Sequence, residues 1–341
     1  MTRRVPLAAT AVLVAAVAAL LALGERTPEG SRRRTAEAYL GEVTTRNAFR
    51  RSESAEAYEL EYGFVDHQGE SHDLACRVLR RDHERLVARF GYSERELDGA
   101  AVARQQAFAD EELRRRGLAP YFRIEVTREA VASRVVATPG VWSSLPAGRA
   151  NELGEALQRL LQEVTRRRRE IEPALYEERG FKLEGRDLSV DYSALVRWSA
   201  PALDGCAKAL RWAGAGYDER EYLGLFVAFV QEIRYEVPPA AQGGRETLGF
   251  WVPTEVLVNG HGDCDSKAAT FCALWRAFAA PMIVIMLPRH VLVGVAMPPA
   301  AGQQFVRLGN RYYVLCEIAG PGKVAPGARR IEGSFRYLTV D

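Results

Sequence analysis

Residues 259–268 read N-G-H-G-D-C-D-S-K-A, and an apolar helical pattern follows at once. Cys264 therefore stands where a loop turns into a helix, with Asp263 suited to cap it and Gly260 and Gly262 free to bend into it. The unpaired N–H groups of a first helical turn and the positive end of the helix dipole both favour thiolate over thiol. A free thiol with a pKa of ~8.5 is mostly protonated at neutral pH, so a drop of a few units changes its reactivity. Such a nucleophile needs a base, and the base needs an orienter. His290 is the only histidine after the cysteine. Glu317 follows the strand pattern of residues 312–316. A carboxylate bonded to the far nitrogen of His290 would fix its tautomer and stabilise the imidazolium. The alternative for Glu317 is a solvated acid at a strand end.

The elements that must position these groups can be read from periodicity. Cys264, Ala268, Phe271, Cys272, Trp275 and Phe278 form one helical stripe. Residues 282–287 (M-I-V-I-M-L), between Pro281 and Pro288, read as a buried strand, and residues 291–297 as a second. Residues 305–308 and 312–316 flank Gly309-Asn310, which suits a tight hairpin turn. His290 thus opens a central strand of an antiparallel set packed on the Cys264 helix. Side chains alternate along a strand, so Cys316 and Glu317 are expected to point to opposite faces.

The order Cys264, His290, Glu317, with G-H-G-D-C-D-S-K-A, R-H-V-L-V-G-V and R-Y-Y-V-L-C-E around them, resembles the transglutaminase-like superfamily of cysteine enzymes. The resemblance extends upstream to F-V-A-F-V-Q-E-I-R-Y at residues 226–235 and to W-V-P-T-E-V-L-V-N-G-H-G-D-C at residues 251–264. The latter is similar to the P-x-E-x-L approach of bacterial transglutaminase-like cysteine peptidases. It covers residues 201–341 and departs from the family at the third position, where many members carry aspartate, proline and threonine and this chain has Glu317-Ile318-Ala319.

The resemblance implies an α+β fold with a papain/transglutaminase-like core, a nucleophile helix on an antiparallel sheet. It implies attack by Cys264 on a peptide, isopeptide or amide carbonyl, proton transfer by His290, and a thioester resolved by water or an amine. The backbone N–H of Cys264 and a second donor would meet the oxyanion, with Tyr235 and Trp251 as candidates. Both are otherwise ordinary aromatic core. Asp265 and Lys267 read as supporting or surface residues. Three readings follow: a hydrolase acting on a protein or peptide, an acyltransferase with the same triad, and a non-catalytic binding module. The intact Cys264/His290 pair argues against the third.

A length of 341 residues suits two domains, and 48% hydrophobic with 26% charged residues is ordinary globular usage. A net charge of +2 gives no case for nucleic acid, and Arg166 to Arg169 lie on a helical pattern at residues 150–176 as a solvated face. Arg3 and Arg4 precede an apolar run at residues 5–23, in the order of an export signal or membrane anchor, so residues 1–24 are expected to place the body outside the cytoplasm. Ala22-Leu23-Gly24 leaves cleavage open. Residues 25–35 read as a linker, 36–148 as a smaller α+β region, 149–200 as a helical connector and 201–341 as the catalytic domain.

The five cysteines are Cys76, Cys206, Cys264, Cys272 and Cys316. Cys264 and Cys272 lie about 12 Å apart along a helix, too far to bridge. Mostly reduced, buried thiols are expected. Neither a cofactor nor a metal is called for, and no spacing suits a structural zinc. In the first region, Tyr58, Leu60, Tyr62 and Phe64 alternate, as do Leu74, Cys76 and Val78, giving a hairpin. Helical patterns at residues 79–90 and 94–116 and a strand at 121–126 follow. His67 and His72 flank the hairpin turn beside Asp66 and Asp73 and are expected to be exposed turn residues rather than metal ligands.

Overall fold

The computed structural model describes residues 48–127, 134–137, 146–320 and 322–340. The expected export segment, residues 1–24, and the linker at 25–35 lie outside them. Among the described residues no helix is long and apolar enough to cross a membrane. The fold is mixed α and β with antiparallel sheets, an α+β arrangement.

The chain enters through an antiparallel meander, β1 (Ala48–Glu53), β2 (Ala57–Val65) and β3 (Ser71–Leu79). The expected hairpin is β2–β3, whose Tyr58, Leu60, Tyr62, Phe64, Leu74 and Val78 are buried. Two helices follow, α1 (Arg80–Arg89) and α2 (Glu94–Arg115), then a hairpin of β4 (Phe122–Glu125) and β5 (Arg134–Ala137). The long helix α3 (Ala147–Glu178) packs on α2 and β4 through a satellite core of Ala109, Leu113, Leu118, Ile124, Leu160 and Val164. Arg166, Arg167 and Arg169 face solvent on α3. Arg168 reaches Asp98 on α2 at 3.5 Å.

After a hairpin of β6 (Phe181–Glu184) and β7 (Asp187–Val190) comes α4 (Tyr192–Ala213), then α5 (Glu219–Glu232) and a two-residue strand β8 (Arg234–Tyr235). Asp191 caps α4 by accepting the Ala194 N–H at 3.0 Å, and Asp218 caps α5 in a reciprocal box with Glu221. A small hairpin, β9 (Ala241–Gln242) and β10 (Arg245–Glu246), leads to α6 (Pro253–Asn259), β11 (His261–Gly262) and α7 (Cys264–Trp275).

The largest sheet has the order β14 (Phe305–Leu308), β15 (Arg311–Cys316), β13 (His290–Ala296), β12 (Met282–Leu287), β16 (Arg336–Val340), all antiparallel. The central strands β12 and β13 are buried on both faces along most of their length, which is why they read as continuous apolar runs. Val284, Val293, Val295, Val314 and Cys316 share a core with Ala268, Phe271, Cys272 and Trp275 of α7. Ile283, Ile285, Leu292, Tyr313 and Leu315 form a second cluster, closed by Ile331. Residues 336–340 were not expected to form a strand, and β16 pairs with β12 as the sheet's far edge.

Residues 45–341 form one unit, and positions 200 and 201 lie inside α4. The meander shares its core with the Cys264 helix, and Arg51 donates to Val258 O and Asn259 Oδ1, both at 3.2 Å, while the Tyr62 hydroxyl donates to Leu257 O. The expectation for the thiols is corrected in part: Cys76 on β3 and Cys206 on α4 are joined in a disulfide across a separation of 130 residues, while Cys264, Cys272 and Cys316 are buried thiols as expected.

Candidate active site

The local sequence around Cys264 folds as a capped helix start. Asp263 has extended backbone, and its side chain accepts the Ser266 N–H at 2.9 Å. Gly260 ends α6 in the left-handed region at φ 69°, and the ring of Phe49 from β1 lies where any larger residue would place its Cβ. The turn between α6 and α7 is held by the parallel pairing of β11 with β8, which sets Tyr235 beside Gly262. Glu236 N–H donates to Gly262 O at 3.2 Å. Cys264 is thus the first helical residue, 7% exposed, with its α7 packed on β13.

His290 and Glu317 meet at the opening between two strands. The β13–β15 pairing stops with Val293 opposite Cys316. Beyond that point the side chains bridge the strands: His290 Nε2 lies 2.8 Å from Glu317 Oε2 and 3.0 Å from Oε1. Both residues are buried, at 8% and 7% exposure. Burial alone would raise the Glu317 pKa, but the bonded His290, the Ala319 N–H at 3.0 Å and the Arg329 guanidinium at 3.9 Å outweigh it and hold the carboxyl below its ordinary range. A carboxylate on Nε2 leaves Nδ1 as the ring nitrogen able to serve as a base. Gln231 fixes the backbone here, its side-chain amide donating to Glu317 O at 2.7 Å and Val324 O at 2.9 Å. Gly320 packs so closely on Gln231 O that no Cβ fits, at a φ of 45°.

The two oxyanion candidates fare differently. Tyr235 is half-buried beside the turn into α7. The Trp251 indole N–H donates to Gln242 Oε1 at 3.2 Å and its backbone N–H to Ser266 Oγ at 3.0 Å. Its ring packs edge-on against His261, centroids 4.6 Å apart. Gln242 in turn donates to Glu255 Oε1 at 3.1 Å, and Glu255 Oε2 accepts the Val252 N–H at 3.1 Å. Burial raises the pKa of Glu255. The P-T-E segment therefore braces the approach to Cys264.

Asp265 accepts the Tyr192 hydroxyl at 2.8 Å, and burial together with this carboxylate raises the tyrosine pKa well above its usual value. Lys267 is completely buried, so of its two readings, supporting or surface, the surface one falls. The apolar character of the whole run A-A-T-F-C-A-L-W, with no face left polar, was the available signal that α7 is enclosed on every side. The turn histidines are also corrected. Asp66 is buried and pairs with His72 Nε2 at 2.8 Å, while His67 Nε2 lies 3.3 Å from Gln231 Oε1.

Among the described residues, two groups each hold three potential metal-ligand atoms within 4.8 Å of one another: Asp263–Cys264–Asp265 and Asp66–Glu70–His72. In each, the carboxylates already accept hydrogen bonds from the protein: from Ser266 and Tyr192 in the first, and from Gln68, Glu70 and Tyr217 in the second. No family model matches this chain, and no curated protein or solved structure matches it either.

Proposed function

We propose that this protein is a transglutaminase-like cysteine hydrolase with a Cys264–His290–Glu317 triad on a papain-like core. The observation that carries the reading is the Glu317 carboxylate straddling His290 Nε2 with both oxygens, buried, on the sheet against which the Cys264 helix packs. In this reading His290 Nδ1 takes the Cys264 proton as Sγ attacks a peptide, isopeptide or amide carbonyl. The backbone N–H of Cys264 meets the oxyanion, at the positive end of α7. Collapse expels the amine, protonated by His290, and leaves a thioester. Water, deprotonated by His290, then releases the acid and restores the thiol. An amine in place of water would make the same site an acyltransferase.

An exported protein with residues 1–24 as signal or anchor fits this reading. The Cys76–Cys206 disulfide suits an oxidising compartment. The test is alkylation of the full-length protein with iodoacetamide at pH 6, with mass-spectrometric mapping. Cys264 is expected to react faster than glutathione under the same conditions, and His290→Ala to remove the excess. Reaction at or below the glutathione rate, or no effect of the histidine substitution, would overturn the assignment.

A further inference from the structure

Cations in this chain are overwhelmingly arginine; only four of the 46 Lys and Arg residues are lysine, and one of these, Lys267, is fully buried in α7. Its Nζ donates to Ile233 O and Ala319 O, both at 2.5 Å, and to Gln231 O at 3.4 Å. Three donors on a compact ammonium match three carbonyls converging from two directions, which a planar guanidinium cannot do. Those carbonyls come from the end of α5, just before Tyr235, and from the segment just after Glu317. Lys267 itself sits three residues after Cys264 and donates its backbone N–H to Asp263 O at 2.9 Å.

We propose that Lys267 is a positioning residue of this site: its buried ammonium ties the start of the Cys264 helix to the backbone at Gln231 and Ile233 on one side and at Ala319 on the other, and so sets where Glu317 holds His290 relative to the thiol. The proposal rests on the hydrolase reading above. Alternatives of the lysine's type fail on geometry: a lysine bound wholly to backbone carbonyls inside the protein has no route to a substrate. A purely apolar spacer would leave three carbonyls unsatisfied, each costly to bury alone. The groups facing the ammonium electrostatically are Glu317, Cys264, Glu232 and Asp263, all acidic. Burial pushes Lys267 down to about 7 despite them. Glu232 is itself raised by burial, opposed by Lys323 and Lys267.

The experiment compares the pH profile of iodoacetamide alkylation at Cys264 in full-length wild type and Lys267→Met, with Cys272 and Cys316 as reporters of unfolding because both are fully buried. In wild type the Cys264 rate should persist to acid pH. In Lys267→Met the rate at pH 6 should fall at least tenfold and the profile should move toward that of an ordinary thiol near ~8.5, with Cys272 and Cys316 still protected. A folded Lys267→Met with a wild-type profile overturns the strut and leaves the hydrolase reading standing. A wild-type Cys264 no faster than glutathione overturns both. If Cys272 and Cys316 become labelled in the variant, the decision passes to the wild-type protein with 13C-labelled lysine, whose four resonance sets are few enough to assign. Titration of Lys267 at the same pH as an inflection in Cys264 alkylation supports the strut, and no shared midpoint overturns it.

Discussion

Two histidine–carboxylate pairs in this molecule have the same bond length and different surroundings. His290 Nε2 lies 2.8 Å from Glu317, and His72 Nε2 lies 2.8 Å from Asp66. Asp66 closes a hairpin turn: its Oδ1 accepts the Gln68 and Glu70 N–H groups at 2.8 and 2.9 Å, and Tyr217 reaches its Oδ2 at 3.2 Å. The His72 ring stacks on Phe64 with centroids 5.1 Å apart. Glu317 stands past a strand end, where two strands part beside a helix headed by a cysteine. A histidine held by an acid is thus a common way to satisfy a buried imidazole. What distinguishes a site is the group that the second ring nitrogen can serve.

The largest expected difference comes from deleting each ring. His290→Ala should lower Cys264 alkylation at pH 6 by roughly 10²–10⁴-fold, the range for loss of a positioned base. His72→Ala should leave that rate within about twofold while lowering the melting temperature, since its removal strands a buried Asp66. Equal effects on Cys264 would erase the distinction between the pairs.

Cutting the Cys76–Cys206 bond separates stability from chemistry on the same axis. The bridge closes a loop of 130 residues and joins β3 of the meander to α4. Serine at both positions should cost about 2–4 kcal/mol in urea unfolding. The Cys264 alkylation profile below the unfolding transition should not move. A changed profile in the folded variant would mean that the meander takes part in aligning the site.

The carboxylates offer a finer comparison. Both are held below their ordinary range: burial works against each, while the bonded histidine and backbone N–H groups outweigh it, with Arg329 adding to the effect at Glu317. A depressed folded pKa gives stability that is present above the unfolded value, about 4, and lost as pH falls through the folded one. Glu317→Gln and Asp66→Asn should therefore each flatten the loss of stability below about pH 4 and cost roughly 1–3 kcal/mol near neutrality. Only Glu317→Gln should also slow Cys264, by about tenfold or more, through the misoriented imidazole. Urea melts at pH 3, 5 and 7 beside alkylation rates settle both halves.

The triad candidates were legible because each carries a local signature: glycines and a capping acid before Cys264, a proline-bounded strand pair around His290, a strand ending at Glu317. What stayed hidden depends on residues far apart in the chain. Asp66 and His72 lie at and beside a turn, but Asp66 is also bonded by Tyr217, 151 residues after it. Cys76 and Cys206 sit on elements whose packing no spacing encodes. The carbonyls around Lys267 belong to residues 34 to 52 positions away. The Trp251–Gln242 bond is hidden for a related reason: Gln242 lies on a two-residue strand too short to leave a periodic pattern.

The smallest effect tests whether the turn pair is as insulated from the site as its chemistry implies. Tyr217→Phe removes one hydroxyl that donates to Glu70 Oε2 at 2.9 Å and reaches Asp66 Oδ2 at 3.2 Å. Asp66 keeps His72 and two backbone donors, so the loss should be near that of a single hydrogen bond, about 0.5–1.5 kcal/mol. One route does connect this corner to Glu317: the neighbouring His67 lies 3.3 Å from Gln231 Oε1, and the same side chain donates to Glu317 O at 2.7 Å. If the turn only contributes stability, Tyr217→Phe lowers the urea midpoint slightly and leaves the Cys264 profile unchanged. A shift of that profile in the folded variant would mean that displacement at the turn travels through His67 and Gln231, and the two pairs would then be ends of one network rather than separate uses of the same bond.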